Sequence, residues 1–175
     1  ATYNSETNSE SARAFFVGAD NYVQGRICGE KMAQLIGGKG EVAIITGFFA
    51  VEAHELRRKG FKDVISGNYP GIKIIGEVEN TDLADIAYNQ ATDFMSSNPG
   101  LSGIYITASG QFGAANAVKD SGKKGVVKVV CHDFLPETMG LVKENVIQGL
   151  IDQSTRLQGR DPVIRLYNYI VGGVV

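Results

Sequence analysis

The feature that most restricts this chain is a regular alternation between short β-branched apolar runs and longer segments whose apolar residues recur at helical spacing. Phe15 to Gly18 reads as a short strand. Tyr22 to Ile36 follows with Val23, Ile27, Met32, Leu35 and Ile36 on one stripe, and Gly37-Gly38-Lys39-Gly40 ends it as a glycine C-cap does. Val42 to Thr46 has no polar alternation, which predicts a strand covered on both faces. Glu52 to Ser66 is a helix with Leu56, Phe61, Val64 and Ile65 inward, and Asn68-Tyr69-Pro70-Gly71 turns the chain into the strand Ile72 to Val78. Thr81 is expected to cap a helix from about Leu83 to Ser97, which Asn98-Pro99-Gly100 stops. The series continues with strand Gly103 to Thr107, helix Gln111 to Ser121 and strand Val126 to Cys131. Helix Pro136 to Asn145, strand Ile147 to Asp152 and helix Gly159 to Val171 close it. Such alternation predicts a three-layer α/β/α fold around a parallel sheet.

Composition narrows the function classes. A chain of 175 residues suits one domain with a proper core, or a large piece of a two-domain protein. A formal charge of −2, with charges of both signs interspersed, argues against gripping a nucleic-acid backbone. No apolar run approaches the roughly 18 to 20 residues that span a bilayer. Ala1 to Glu10 is polar, so no signal peptide opens the sequence, although a processed one would leave no trace. Cys28 and Cys131 lack Cys or His neighbours at ligand spacing, since His132 and Cys131 point to opposite faces of a strand. Two buried, reduced thiols are expected, which leans towards a cytoplasm. The 22 glycines call for many tight turns and close backbone approaches.

In a parallel sheet of this kind, ligands bind outside the carboxyl ends of the strands. The residues there are Phe48 and Phe49, Glu79 to Asp82, Ala108 to Gln111, Asp133 and Phe134, and Gln153. They comprise aromatic rings, amides, a hydroxyl and carboxylates, without a nucleophile–base pair. His54 and His132 are the only histidines, no Gly-x-Ser-x-Gly elbow exists, and Ser109 reads as a turn or cap residue. Asp82 and Asp133 could pair as acid and base, but carboxylates at this edge are more often ligand acceptors or helix caps. His54-Glu55 lacks a second histidine for a metal, and Gly40 after Gly38-Lys39 excludes a Walker loop. No cofactor, metal or catalytic residue is expected.

Two sharper signals remain. Ala108-Ser109-Gly110-Gln111-Phe112-Gly113, with Asp133 at the end of the next strand, approaches a dinucleotide fingerprint, but Ala108 stands where the first glycine is needed. An NAD-linked enzyme built around Gly110, Gly113 and Asp133 is therefore a rival reading. Arg57, near a helix start and close to a strand's carboxyl end, can fork two hydrogen bonds to vicinal hydroxyls or a carboxylate. Facing a cleft, it would be replaceable by alanine with little change in melting temperature. The competing reading is a solvated basic face of Arg57, Arg58 and Lys59.

The run Phe16-Val17-Gly18-Ala19-Asp20-Asn21-Tyr22-Val23-Gln24-Gly25-Arg26 resembles the first helix start of the type I periplasmic-binding-protein fold, shared by sugar-binding proteins and LacI-type repressors. Gly37 to Gly47, Arg57-x-x-Gly60-Phe61, Asn98-Pro99 and Val129 to Asp133 resemble further signature points, from about Asn4 to the C-terminus. The resemblance implies that Arg57, Asp133 and Gln153 bind sugar hydroxyls. Phe48, Phe49 or Phe134 would stack on a pyranose face, and Asn80 and Asp82 would add a contact. Many members carry Asn-Asp after the central strand, where this chain has Ala108-Ser109-Gly110, so Ser109 takes that place. His132-Asp133-Phe134-x-Pro136-Glu137-Thr138 and Ile151-Asp152-Gln153 look closer to the LacI-type regulators.

That resemblance implies the effector-sensing part of a LacI-type transcriptional regulator. It would be a cytoplasmic homodimer that is not an enzyme and does not insert into a membrane, closing on a sugar effector. Operator DNA would be reached only through a missing N-terminal domain. The alternative is a periplasmic sugar-binding protein of an ABC transporter. On family precedent, residues 1–18 cross over from a missing N-terminal lobe, 19–153 form the C-terminal sugar-binding lobe, and 154–175 return towards the missing lobe. Ile164, Leu166, Tyr167, Ile170 and Val171 would then lack part of their cover.

Overall fold

The computed structural model describes residues 1–3 and 12–174, so most of the polar opening at Ala1 to Glu10, and the start of the resemblance near Asn4, lie outside the described residues. In chain order the elements are β1 (Thr2–Tyr3), β2 (Phe16–Val17), α1 (Asn21–Ile36), β3 (Gly40–Thr46), α2 (Glu52–Asn68), β4 (Ile72–Glu79) and α3 (Ala84–Ser97). They continue with β5 (Leu101–Ile106), α4 (Gln111–Asp120), β6 (Lys128–His132), α5 (Pro136–Lys143), β7 (Gly149–Ile151) and α6 (Thr155–Gly172). Residues 21–151 form one compact unit, and residues 1–20 with 152–175 form another.

The larger unit is a parallel five-stranded sheet in the order β4-β3-β5-β6-β7 with helices on both faces. Its central strands β3, β5 and β6 are largely apolar because both faces are buried, and alternate side chains enter different layers. Ala43, Ile45, Ile104, Ile106, Val129 and Cys131 pack with Ala87, Ala91, Ala114 and Leu141 of α3, α4 and α5. Val42, Ile44, Tyr105 and Val130 pack with Cys28, Met32, Phe61 and Ile65 of α1 and α2. Both cysteines are buried free thiols, one in each layer.

Helices α1 and α2 meet backbone to backbone. A Cβ on Gly25 would lie 2.0 Å from the Arg57 carbonyl oxygen, and one on Gly60 would lie 2.1 Å from that of Tyr22. The Arg57-x-x-Gly60-Phe61 motif therefore has a packing cause: Gly60 lets the helices touch, and Phe61 stacks on Tyr105 with ring centroids 4.4 Å apart.

The smaller unit pairs β1 and β2 in parallel, and α6 packs on both. Val163, Ile164, Leu166, Tyr167, Ile170 and Val171 of α6 are exposed. Among the described residues, no helix is long and apolar enough to cross a membrane.

Two local expectations are corrected. Thr81 does not cap α3: it sits at φ 51 with its hydroxyl donating to the Asn80 carbonyl, and the cap position is Leu83, without a side-chain bond. Helix α6 begins at Thr155, ahead of Gly159, and carries Pro162 in its interior.

Candidate ligand-binding site

The chain leaves β3 for β4 on one side of the sheet and returns to β5 on the other, so the order reverses between β3 and β5. Strands diverging in this way open a crevice at their carboxyl ends. Its floor is polar. The hydroxyls of Thr46 and Thr107 lie 2.6 Å apart, tying the two strand ends together. Arg57 Nη1 donates to the Thr107 carbonyl at 2.8 Å, and Nε donates to Asn21 Oδ1 at 2.9 Å. Burial pulls the Arg57 pKa down, opposed by nearby Tyr105 and Asp133. A guanidinium nevertheless remains charged at any physiological pH.

The solvated basic face is thereby corrected: Arg57 is only 4% exposed, so its side chain is part of the floor. Its neighbours on α2 have partners of their own. Arg58 pairs with Glu55 and Glu77, and Lys59 with Asp63 at 2.8 Å. The expectation that alanine at position 57 would barely change the melting temperature falls with this burial.

The rim comes from three loops. Asp82, at φ 59, accepts the Ser109 N–H on Oδ1 at 3.2 Å and donates its own N–H to Asn80 Oδ1 at 3.1 Å. Asn80 is fully buried and donates from Nδ2 to the Ser109 carbonyl at 2.7 Å, so it brackets the β4 and β5 loops together. Ser109 is exposed at the rim. Asp133, at φ 72, is half-buried, with its N–H on the Ile151 carbonyl at 3.0 Å and its carbonyl accepting the Thr138 hydroxyl at 3.0 Å. Non-glycine residues at positive φ cost energy and cluster at functional sites; here both rim carboxylates stand in that region.

The aromatic candidates Phe48, Phe49 and Phe134 are all exposed. Phe49 is held by its N–H on Glu79 and by Arg58 4.8 Å over its ring, which occupies one face. Gln153 belongs to the smaller unit, where its carbonyl accepts Gln158 Nε2 at 2.5 Å.

The glycines of the dinucleotide pattern have other causes. Gly110 sits at φ 98, and a Cβ there would lie 1.9 Å from Asn80 Nδ2. A Cβ on Gly113 would lie 1.7 Å from the Ala84 carbonyl oxygen, so it permits α3 and α4 to touch.

Sequence reasoning set both histidines aside, yet both lie at or under the site. His54 Nδ1 accepts the Phe48 N–H at 3.1 Å, which leaves the ring proton of the neutral imidazole on Nε2. Burial pulls its pKa down, partly opposed by Asp82. His54 stands three residues before Arg57 on α2, a spacing that places side chains on one helix face and could have drawn attention to it.

His132 lies beneath, its Nε2 3.0 Å from the Tyr105 hydroxyl and 3.6 Å from Cys28 Sγ, while its buried Nδ1 makes no hydrogen bond. Burial, with nearby Arg57 and His54, holds its pKa well below the ordinary histidine value. Burial pushes the Cys28 thiol up to about 12 and raises that of Cys131 as well. Among the described residues, no cluster of three or more His, Cys, Asp or Glu side chains is arranged to hold a metal ion.

The fold is a parallel α/β sheet whose polar switch point carries carboxylates and exposed aromatic rings at its strand ends. The chain belongs to the periplasmic binding protein domain family, whose pattern matches residues 1–173. It is 24% identical to the xylose/arabinose-binding protein XylF of Sulfolobus acidocaldarius, over 89% of this chain and 39% of that protein. It is 29% identical to a D-ribose/D-allose-binding protein of Pseudomonas aeruginosa, over 79% of this chain and 43% of that protein. The solved sugar-binding protein of a sugar ABC transporter from Bacillus halodurans superposes with a TM-score of 0.89 at 28% identity, over 95% of this chain and 57% of that one. The chain thus spans about two fifths of the length of the curated relatives it matches.

These relatives overturn the LacI-type regulator reading, and operator DNA goes with it. The homodimer expectation rested on the same resemblance. The motif behind it has a local structural cause: Pro136 opens α5, and the Thr138 hydroxyl closes that helix start on the Asp133 and Leu135 carbonyls. The lean towards a cytoplasm also fails as a signal. Buried thiols with raised pKa values carry little reactive thiolate, so they are chemically compatible with an oxidising compartment.

Proposed function

We propose that this chain is the ligand-holding part of a periplasmic sugar-binding protein of an ABC transport system, and that it takes a monosaccharide at the β3–β5 crevice. The observation that carries the reading is the convergence of Arg57, Asp82 and Asp133 on one switch point beside exposed Phe48 and Phe134. A sugar offers two kinds of surface, a ring of hydroxyls and apolar C–H faces. Carboxylates and a guanidinium suit the first, and aromatic rings the second. Asn80 acts through the bracket it makes with Ser109, and Phe49 contributes one ring face, the other being under Arg58. A role for Gln153 is proposed on the sequence resemblance alone.

Binding, without chemistry, is the proposed activity. The relatives' names supply the sugar classes to try: xylose, arabinose, ribose and allose. Calorimetric titration of the full-length protein with these four sugars should give saturable binding for at least one. Heat from NADH with none from any sugar would overturn the proposal and restore the nucleotide reading of Gly110, Gly113 and Asp133.

A further inference from the structure

We propose that His54 is a specificity-determining residue, which reads a hydroxyl of the bound sugar together with Asp82 and so chooses between epimers. The inference rests on the sugar-binding reading and deepens it. Gly47, at the carboxyl end of β3, is buried and lacks a side chain. The space a Cβ would take there is bounded by Asp82 Oδ1 at 2.3 Å and by His54 Cε1 at 2.7 Å. Any larger residue at position 47 would displace both groups, so the glycine lets an imidazole edge and a carboxylate converge at the switch point.

Their hydrogen-bonding roles are complementary. His54 Nδ1 is occupied by the Phe48 N–H, so the ring edge beyond Cε1 presents Nε2–H, a donor. Asp82 is an acceptor only, and its Oδ1 is already aimed by the Ser109 N–H. A hydroxyl both donates and accepts, and a donor beside an acceptor engages its proton and one of its lone pairs at once. Inverting that carbon moves the hydroxyl away and leaves the half-buried His54 Nε2–H without its ligand acceptor, while Asp82 keeps only the Ser109 N–H. An unmet hydrogen bond of this kind discriminates between epimers. Burial favours the neutral imidazole, which keeps the donor and acceptor roles fixed near neutral pH.

The test uses the full-length protein with D-ribose, D-arabinose, D-xylose, D-lyxose, D-allose and D-glucose as probes, a set that contains epimers at single carbons. His54→Ala should lower affinity for the preferred sugar by ~10-fold or more and compress the ratio between that sugar and its epimers. His54→Gln, which keeps an N–H donor, should recover part of that ratio. A uniform loss across all sugars, with the ratio unchanged, would assign His54 to structure and overturn the inference while leaving the sugar-binding reading intact. If the wild type binds none of the six sugars, both fall.

A measurement without substitutions guards against a variant that fails to fold. Histidine ring nitrogen resonances of the wild type should shift at His54 Nε2 when the preferred sugar is added. Saturating binding with that resonance unmoved would sink the proposal.

Discussion

Arg57 shows how a residue can be read correctly for its place and wrongly for its burial. A guanidinium near the start of α2 was legible from the motif and from its distance to the end of β3. Its acceptors, the Thr107 carbonyl and Asn21 Oδ1, come from just after β5 and from α1, and no local pattern announces them. The same holds for His54, whose partners Phe48 and Asp82 lie in two different loops. Arg57→Ala should therefore destabilise the fold as well as weaken binding, since the Thr107 carbonyl would lose a buried donor. The expected cost is about 2 to 4 kcal/mol, read as a fall in the urea midpoint at unchanged slope. Arg57→Lys keeps the charge but loses the planar fork and should fall in between. An alanine variant as stable as the wild type would mean that the guanidinium belongs to the ligand alone.

At the scale of elements, what could be read and what could not follows from the range of the forces involved. Strands β3, β5 and β6 were legible because burial on both faces demands largely apolar runs such as Val42 to Thr46, whereas edge strand β4 shows through its turn and its interleaved charges. The site's neighbourhood was legible too, because topology puts Phe48, Asp82, Ser109 and Asp133 at carboxyl ends. Thr81 was misread because Asn80, one residue earlier, takes the turn's hydrogen bonds, and the start of α6 because its first turn, Thr155 to Gln158, is mostly polar and carries no apolar stripe.

Glycine in helices was the quietest signal of all. Gly60 contributes nothing to amphipathic spacing, yet it sets how closely α1 and α2 approach. Gly60→Ala would place a methyl 2.1 Å from the Tyr22 carbonyl oxygen, so the helices must separate. The expected loss is about 1 to 3 kcal/mol, despite alanine's better helix propensity. Gly67, where a Cβ meets nothing within 4 Å, is the matched control, and Gly67→Ala should be neutral or stabilising. Equal effects at the two positions, by chemical denaturation, would refute helix contact as the reason for Gly60.

For the molecule as a whole, the floor beneath the crevice links stability to pH. The chain has 2 histidines, and both are held below their ordinary value: His132 mainly by burial with Arg57 and His54 near it, His54 mainly by burial against the pull of Asp82. Below about pH 6.5 the unfolded chain takes up a proton at each site, while the folded chain resists. The unfolded state then binds more protons, so stability is lost as pH falls and regained as it rises. His132 should dominate, because it is buried against Tyr105, Cys28 and Arg57, none of which offers a compensating anion near neutrality, whereas half-buried His54 is shielded by solvent. The slope has a ceiling of about 1.4 kcal/mol per pH unit for each proton.

Carboxylates held down by cationic partners, Glu77 by Lys62 and Arg58 and Asp63 by Lys59, lose their contribution only at more acid pH, so the two effects separate. Unfolding free energies measured from pH 8 to pH 5 should be flat above about 7 and fall below about 6.5. His132→Gln should remove most of that fall while keeping a partner for the Tyr105 hydroxyl. A wild-type profile flat to pH 5, or a variant that retains the full slope, would show that the imidazole beneath the site is not what limits this fold in acid.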